Sequence, residues 1–146
     1  HFVIGSEEKF NYIIFDLRFN NLGDFFSEVS TATVGVIYNI ARGGVPDFYT
    51  DKHSSIFNRM KRYGFHETQK SHHLPFKLYG ADDKLINDFF TDTLAGFIHG
   101  KPYEVECQRR VVLVHKEWVK IPEGKQMENF AQYINDLGHE ILKEND

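Results

Sequence analysis

The chain has 146 residues, of which 41% are hydrophobic and 26% are charged, and its formal net charge at pH 7 is −4. This composition is typical of a folded globular protein and excludes a disordered or collagen-like chain. The acidic balance argues against attraction of the whole surface to nucleic acid, although it is compatible with a local basic patch. The single cysteine, Cys107, excludes an internal disulfide and a thiolate zinc cage.

The first half of the chain changes from a strand pattern to a helix pattern. Two apolar runs at 2–5 and 10–19, separated by a polar turn, predict a β-hairpin. From 22 to 40 apolar residues recur at intervals of three and four, which predicts a helix, with a kink at the poor helix formers 30–35. A short helix is predicted within 51–64, before Gly64.

The second half alternates between the two patterns. Two weaker strands are predicted between 65 and 79, and the clearest helix runs over 82–98. Apolar and polar residues alternate from Tyr103, and the stretch to Ile121 is too long for one strand, so a bend is expected at 115–117. A final helix is predicted over 127–141.

This order of elements predicts an α+β fold with a mixed or antiparallel sheet packed against about four helices. The length is the commonest size of a single domain, so residues 1–146 are predicted to form one. No apolar run reaches the roughly eighteen residues of a membrane span, which favours a cytoplasmic protein.

The residues that usually carry catalysis or bind metals form no convincing set. None of the eight histidines forms a His-x3-His pair on a helix or has a cysteine pair at zinc spacing, so we predict neither a metal nor a cofactor. There is no Gly-x-Ser-x-Gly elbow, and Cys107 lies in the middle of a predicted strand. We therefore assign no catalytic residue and favour a non-enzymatic protein.

Two short motifs resemble metal-dependent enzymes. Residues 45–48 (VPDF) resemble the opening of the PD-(D/E)xK nucleases, but the following acid-x-Lys pair is replaced by Glu67-Thr68-Gln69-Lys70, in which one extra residue puts the acid and the lysine on opposite faces of a strand. Asp16, which ends an apolar run, is similar to the first metal ligand of class III nucleotide cyclases, with 80–83 in the place of the second. The Phe-Thr that those enzymes have after the first acid is Asn20-Asn21 here. Ordinary turn and strand-end roles compete with both resemblances.

Basic and imidazole side chains are concentrated within 59–77 and are interleaved with aromatic residues. Such a stretch is suited to binding a phosphate backbone, and histidine together with lysine or arginine supports RNA cleavage without a metal. The candidate RNA site comprises Arg59, Arg62, His66, Lys70, His72 and His73. The competing interpretation is a solvated helix face followed by a polar loop.

Acidic side chains lie along the predicted helices and are candidates for binding a partner protein. They are Asp82, Asp83, Asp88, Asp92, Asp136 and Glu140. Such a face fits a basic partner, so the favoured hypothesis is a small intracellular protein-binding module that neutralises a basic toxin or nuclease, as immunity proteins and antitoxins do. The alternative hypothesis is a metal-independent ribonuclease or RNA-binding protein that uses 59–77.

Overall fold

The computed structural model describes residues 2–20, 29–52 and 64–143, and within these ranges all strands belong to one eight-stranded sheet. In chain order the strands are β1 Phe2–Ser6, β2 Asn11–Asn20, β3 Val29–Tyr38, β4 Phe48–Asp51, β5 His66–Glu67, β6 Lys77–Gly80, β7 Glu104–Gln108 and β8 Val111–His115. Across the sheet their order is β1-β2-β3-β8-β7-β4-β6-β5. Every neighbouring pair is antiparallel, so of the two predicted types, mixed and antiparallel, the sheet is antiparallel.

The prediction of about four helices was wrong, because the described ranges contain three α-helices and one short 3₁₀ helix. The α-helices are α1 Asp83–Phe89, α2 Asp92–His99 and α3 Lys125–Leu142, and the 3₁₀ helix is Gln69–His73. None of them is both long and apolar enough to cross a membrane. The helix predicted over 127–141 is confirmed as α3, and the α+β character of the fold is confirmed as well.

The helix predicted over 22–40 is the main error. Residues 29–38 form strand β3, which pairs with β2 along ten positions, from Asn11↔Tyr38 to Asn20↔Val29. The apolar spacing suited a helix, but β3 is rich in valine and threonine, whose branched side chains disfavour helices and pack well on a pleated sheet. Residues 39 and 40 are in neither a helix nor a strand. The part of the predicted helix at 22–28, and most of the short helix predicted within 51–64, lie outside the described residues.

The helix predicted over 82–98 is present as two helices. The Asp82 carboxylate accepts a hydrogen bond from the Leu85 amide at 3.0 Å and begins α1. Phe90 leaves the helical conformation, and the Thr91 hydroxyl then begins α2 by accepting from the Leu94 amide at 3.0 Å. A second capping residue inside one continuous apolar pattern thus divides it into two elements.

Two tight turns lie in the region where the sequence predicted one bend. The expected bend at 115–117 is confirmed, because the Val119 amide donates to the Lys116 carbonyl at 3.0 Å. The chain also reverses at Arg109-Arg110, between β7 and β8, and both arginines have positive φ, at 53° and 62°. The carboxylate of Asp47 holds this second turn by accepting from the Arg109 amide at 2.8 Å. Left-handed conformations are unusual for arginine, so this reversal is difficult to predict from the residue types.

Helix α3 lies directly on the sheet because two glycines allow a close approach. A Cβ atom at Gly35 of β3 would be 2.4 Å from the Ile134 Cδ1 atom of the helix. A Cβ atom at Gly138 of the helix would be 2.4 Å from the ring of Phe10, a side chain that is only 1% exposed. Both contacts belong to one continuous hydrophobic core.

We expect Gly138→Ala to destabilise the protein by about 1–3 kcal/mol, although glycine to alanine normally stabilises a helix, because the new methyl group would overlap the buried Phe10 ring. The matched control is Gly96→Ala in α2, where a Cβ atom meets nothing within 4 Å. This control should raise the free energy of unfolding by about 0.5–1 kcal/mol. Urea denaturation measures both changes, and equal effects at the two glycines would contradict the close approach.

Candidate functional site

The described residues of the predicted RNA site lie on β5 and on the 3₁₀ helix. His72 and His73 are exposed and Lys70 is half-buried. The Nε2 atom of His66 lies 3.2 Å from a carboxylate oxygen of Asp83 at the start of α1. This pair joins a residue of the predicted RNA site to a residue of the predicted acidic site. Arg59 and Arg62 lie outside the described residues.

The six predicted partner-binding acids have several different environments. Asp82 caps α1, and Glu140 forms an ion pair with Lys143 at 2.7 Å. Asp88 and Asp92 are exposed on α1 and α2. Asp136 lines a cleft between α2 and α3, and it is the only one of the six that does so.

The two acids that resembled metal ligands have structural roles. Asp16 accepts a hydrogen bond from the Thr33 hydroxyl at 2.8 Å and lies 3.9 Å from the Lys120 ammonium, while Asp47 holds the Arg109 turn. Across the described ranges, no three His, Cys, Asp or Glu side chains are grouped in a way that would hold a metal ion.

A cleft with a volume of about 790 Å³ lies between α2 and α3 in the part of the chain that the structure describes. This volume is in the range of about 300–1,000 Å³ that is usual for ligand pockets. One wall is formed by α2 and the α2–β7 connection, the other by α3 and the β8–α3 connection. The lining residues are Gly96, Phe97, Gly100, Lys101, Pro102, Tyr103, Lys116, Ile121, Gln126, Asn129, Gln132, Tyr133 and Asp136.

Packed aromatic rings join the two walls at the base of the cleft. The rings of Phe97 and Tyr133 stack with centroids 5.1 Å apart, and Tyr103 packs 4.7 Å from Tyr133. Tyr103 also meets Phe130 edge to face at 5.1 Å. These contacts fix α2 against α3 and give the cleft an apolar base.

Polar side chains of α3 run along the cleft. Gln126, Asn129, Gln132 and Asp136 all line it, and the Gln132 amide donates to the Asp136 carboxylate at 2.8 Å. Ten residue steps separate Gln126 from Asp136, which corresponds to about 15 Å along the helix axis. The cleft is therefore elongated, and its α3 wall offers amide donors and acceptors along its length.

The Tyr133 hydroxyl is buried at the edge of this polar wall. Tyr133 is 4% exposed, and its oxygen has no hydrogen-bond partner among the described residues. Burial raises the pKa of Tyr133, and the nearby Tyr103 phenol and Glu104 carboxylate raise it further, so the hydroxyl stays protonated. A buried hydroxyl without a hydrogen-bond partner is unfavourable for folding.

A buried charged cluster supports the α2 wall from behind. The Lys52 ammonium donates to the Lys101 carbonyl at 2.6 Å and also to the Ile98 carbonyl at the end of α2. The Glu104 carboxylate accepts from the Lys52 amide at 2.9 Å and from the Thr50 hydroxyl at 2.8 Å. Burial lowers the pKa of Lys52 to about 8 against the opposing effect of Glu104, and it raises the pKa of Glu104.

The opposite connection, which carries Lys116, is held by a histidine. His115 is 3% exposed and stacks on Trp118 with a centroid distance of 4.0 Å. Its Nδ1 atom accepts a hydrogen bond from the Trp118 amide at 3.1 Å, and Glu117 and Trp118 both have positive φ. Accepting at Nδ1 requires an unprotonated nitrogen there, and burial lowers the pKa of His115 to about 4.

Sequence reasoning found Asp136 but not the rest of the cleft. A sequence signal did exist, because Gln126, Asn129, Gln132 and Asp136 recur at intervals of three and four beside the apolar stripe of α3. The walls contributed by α2 and by Lys116 come from distant parts of the chain. The periodicity of a sequence does not indicate that two such distant segments lie next to each other in the fold.

Comparison with known proteins adds no relative to this description. No family model matches the chain, and no curated protein or solved structure shows significant similarity to it.

We expect the neutral state of His115 to make the protein less stable in acid. The unfolded state binds a proton near pH 6.5, whereas the folded state resists protonation until about pH 4, so stability is complete above 6.5 and falls as the pH approaches 4. The loss attributable to His115 is at most about 3 kcal/mol. Denaturation of wild type and of His115→Gln from pH 7 to pH 4 measures it as the difference between the two curves, and parallel curves would contradict it.

We expect Lys52→Met to destabilise the protein by about 2–3 kcal/mol, because it leaves the Glu104 carboxylate without its cation and two carbonyls without a donor. The control Lys77→Met removes an exposed ammonium nearby and should change stability by less than about 0.5 kcal/mol. In a double-mutant cycle, Lys52→Met and Glu104→Gln should cost less together than the sum of the single changes. Additive losses would show that the two groups do not interact.

Proposed function

We propose that the chain is a non-enzymatic protein-binding module that holds an extended segment of a partner protein in the α2–α3 cleft. The observation that carries this proposal is the wall of amide side chains along α3 above an aromatic base. Peptide groups present one donor and one acceptor per residue, and asparagine and glutamine side chains satisfy both.

The dimensions of the cleft support a peptide as its occupant. An extended chain advances about 3.3 Å per residue, so the α3 wall of about 15 Å accommodates four or five residues. The stacked rings of Phe97 and Tyr133 offer apolar surface to the side chains of such a segment. The described lining residues include no serine, cysteine or histidine, so the cleft has no Ser-His or Cys-His pair of the kind that activates a nucleophile.

A toxin or nuclease as the partner is the narrower form of this proposal. Its support is compositional: the acidic net charge, the high aromatic content and the acids on the helices. RNA binding through His66, Lys70, His72 and His73 is the competing function. Its support is the exposure of His72 and His73 beside a lysine.

Filling the cleft tests the proposal. Gly96 lines it, and a Cβ atom there meets nothing within 4 Å, so Gly96→Phe places a ring in the cleft without disturbing the core. The probe is a peptide selected on the wild-type protein from a library of random linear peptides. We expect Gly96→Phe to weaken its binding, measured by calorimetry, by at least about tenfold, since the ring occupies the same space.

The matched control is Thr93→Phe, which places the same ring at an exposed position of α2 outside the cleft. This variant should bind the peptide as the wild type does. Equal binding by wild type and Gly96→Phe would show that the site lies elsewhere. Binding of an RNA oligonucleotide in place of peptides, lost on changing His72 and Lys70, would favour the competing function.

A further inference from the structure

We infer that the segment held in the cleft carries an acidic side chain, and that this carboxylate binds to the ammonium groups of Lys101 and Lys116. The inference rests on the proposed function, because it names the chemistry of the partner that the same cleft selects. It assigns specificity to two lysines that the sequence did not single out.

The two lysines reach the cleft from opposite walls. Lys101 lies on the α2–β7 connection and Lys116 on the β8–α3 connection, and both line the same space. Neither ammonium has a carboxylate within 4 Å among the residues that the structure describes, whereas Lys120 and Lys143 do have such partners. Two cations without a counter-ion in one concave site favour an anionic group between them.

The carboxylate of the cleft itself does not neutralise this arrangement. Asp136 is the only acid among the lining residues that the structure describes, and it accepts a hydrogen bond from the Gln132 amide at 2.8 Å. Two lysines and one aspartate give these described lining residues a formal charge of +1, whereas the whole chain carries −4. The described lining therefore has the opposite sign to the net charge of the chain.

The backbone that carries both lysines is held in place before any ligand binds. The Lys101 carbonyl accepts from the Lys52 ammonium at 2.6 Å. Lys116 begins a tight turn that is closed by the hydrogen bond from the Val119 amide to the Lys116 carbonyl. In the same turn Trp118 donates its amide to His115 and stacks its ring on the imidazole. Fixed attachment points reduce the conformational entropy that binding has to overcome, so the lysines are suited to recognising a carboxylate at a defined place.

The remaining lining residues favour an acidic peptide over RNA or a basic segment. RNA binding depends on a series of cations that follow successive phosphates, and this cleft combines two cations with a carboxylate and three amides. A basic segment would be repelled by two lysines and attracted by one aspartate. An acidic side chain within a peptide uses the cations and the amide wall at the same time.

Charge-removing variants test the inference on peptides selected as above. We expect the selected peptides to be enriched in Asp and Glu, and Lys101→Gln and Lys116→Gln each to weaken their binding by about tenfold, the usual effect of losing a charge-assisted hydrogen bond. The control Lys125→Gln removes the same charge from an exposed position at the start of α3 outside the cleft. It should change the affinity by less than about twofold.

The other outcomes separate this inference from the proposed function. If Gly96→Phe abolishes binding while both lysine variants bind normally, the cleft binds peptides but not through an acidic group, and only the inference is overturned. If the selected peptides are basic and Asp136→Asn weakens their binding, the partner segment is basic, as the net charge of the chain suggested, and the inference is overturned. If an RNA oligonucleotide displaces the peptide and needs both lysines, the anion is a phosphate and the peptide proposal fails too.

Discussion

The close contact between α3 and the sheet is the constraint on which the rest of the structure depends. Gly35 and Gly138 let the helix approach until Ile134 and Phe10 occupy the space that side chains at these two glycines would fill. Because the apolar stripe of α3 is fixed in this way, its polar stripe is fixed too. Gln126, Asn129, Gln132 and Asp136 therefore form one wall of a cleft that is open to solvent. The candidate site is a consequence of core packing at a neighbouring surface of the same helix.

The α2 wall of the cleft is held by hydrogen bonds of polar groups outside the hydrophobic core. At the end of α2, the Lys52 ammonium donates to the Ile98 carbonyl in the last turn of the helix and to the Lys101 carbonyl on the α2–β7 connection. The backbone of Lys52 is tied to β7, because the Glu104 carboxylate accepts from the Lys52 amide and from the Thr50 hydroxyl. Burying charged groups is unfavourable unless they satisfy each other, so this cluster stabilises one particular position of the α2–β7 connection.

The sequence predicted those elements whose local preference and apolar period agree. The opening hairpin, with two apolar runs around a polar turn, and α3, with a consistent helical stripe, are of this kind. The helical stripe within 82–98 predicted the helical conformation but not its division into two helices. Strand β3 was predicted as a helix because its apolar spacing was given more weight than its branched residues, and pairing with β2 over ten positions decided the outcome. The cleft was beyond sequence reasoning for a different reason. Its walls are far apart in the chain, so only Asp136, already notable as an acid on a predicted helix, was identified in advance.

The formal charge of the described cleft lining differs in sign from that of the whole chain. A chain with a charge of −4 suggests a basic partner, and the acids on its helices strengthen that impression. Yet Asp82 caps a helix, Asp83 faces His66 and Glu140 faces Lys143, so half of the predicted acids already serve local structure. The lysines show the reverse pattern, since Lys101 and Lys116 have no carboxylate partner among the described residues and line the same cleft. Charges that are already paired contribute little to recognition, so the proposed partner chemistry rests on the unpaired lysines of the cleft and not on the net charge of the chain.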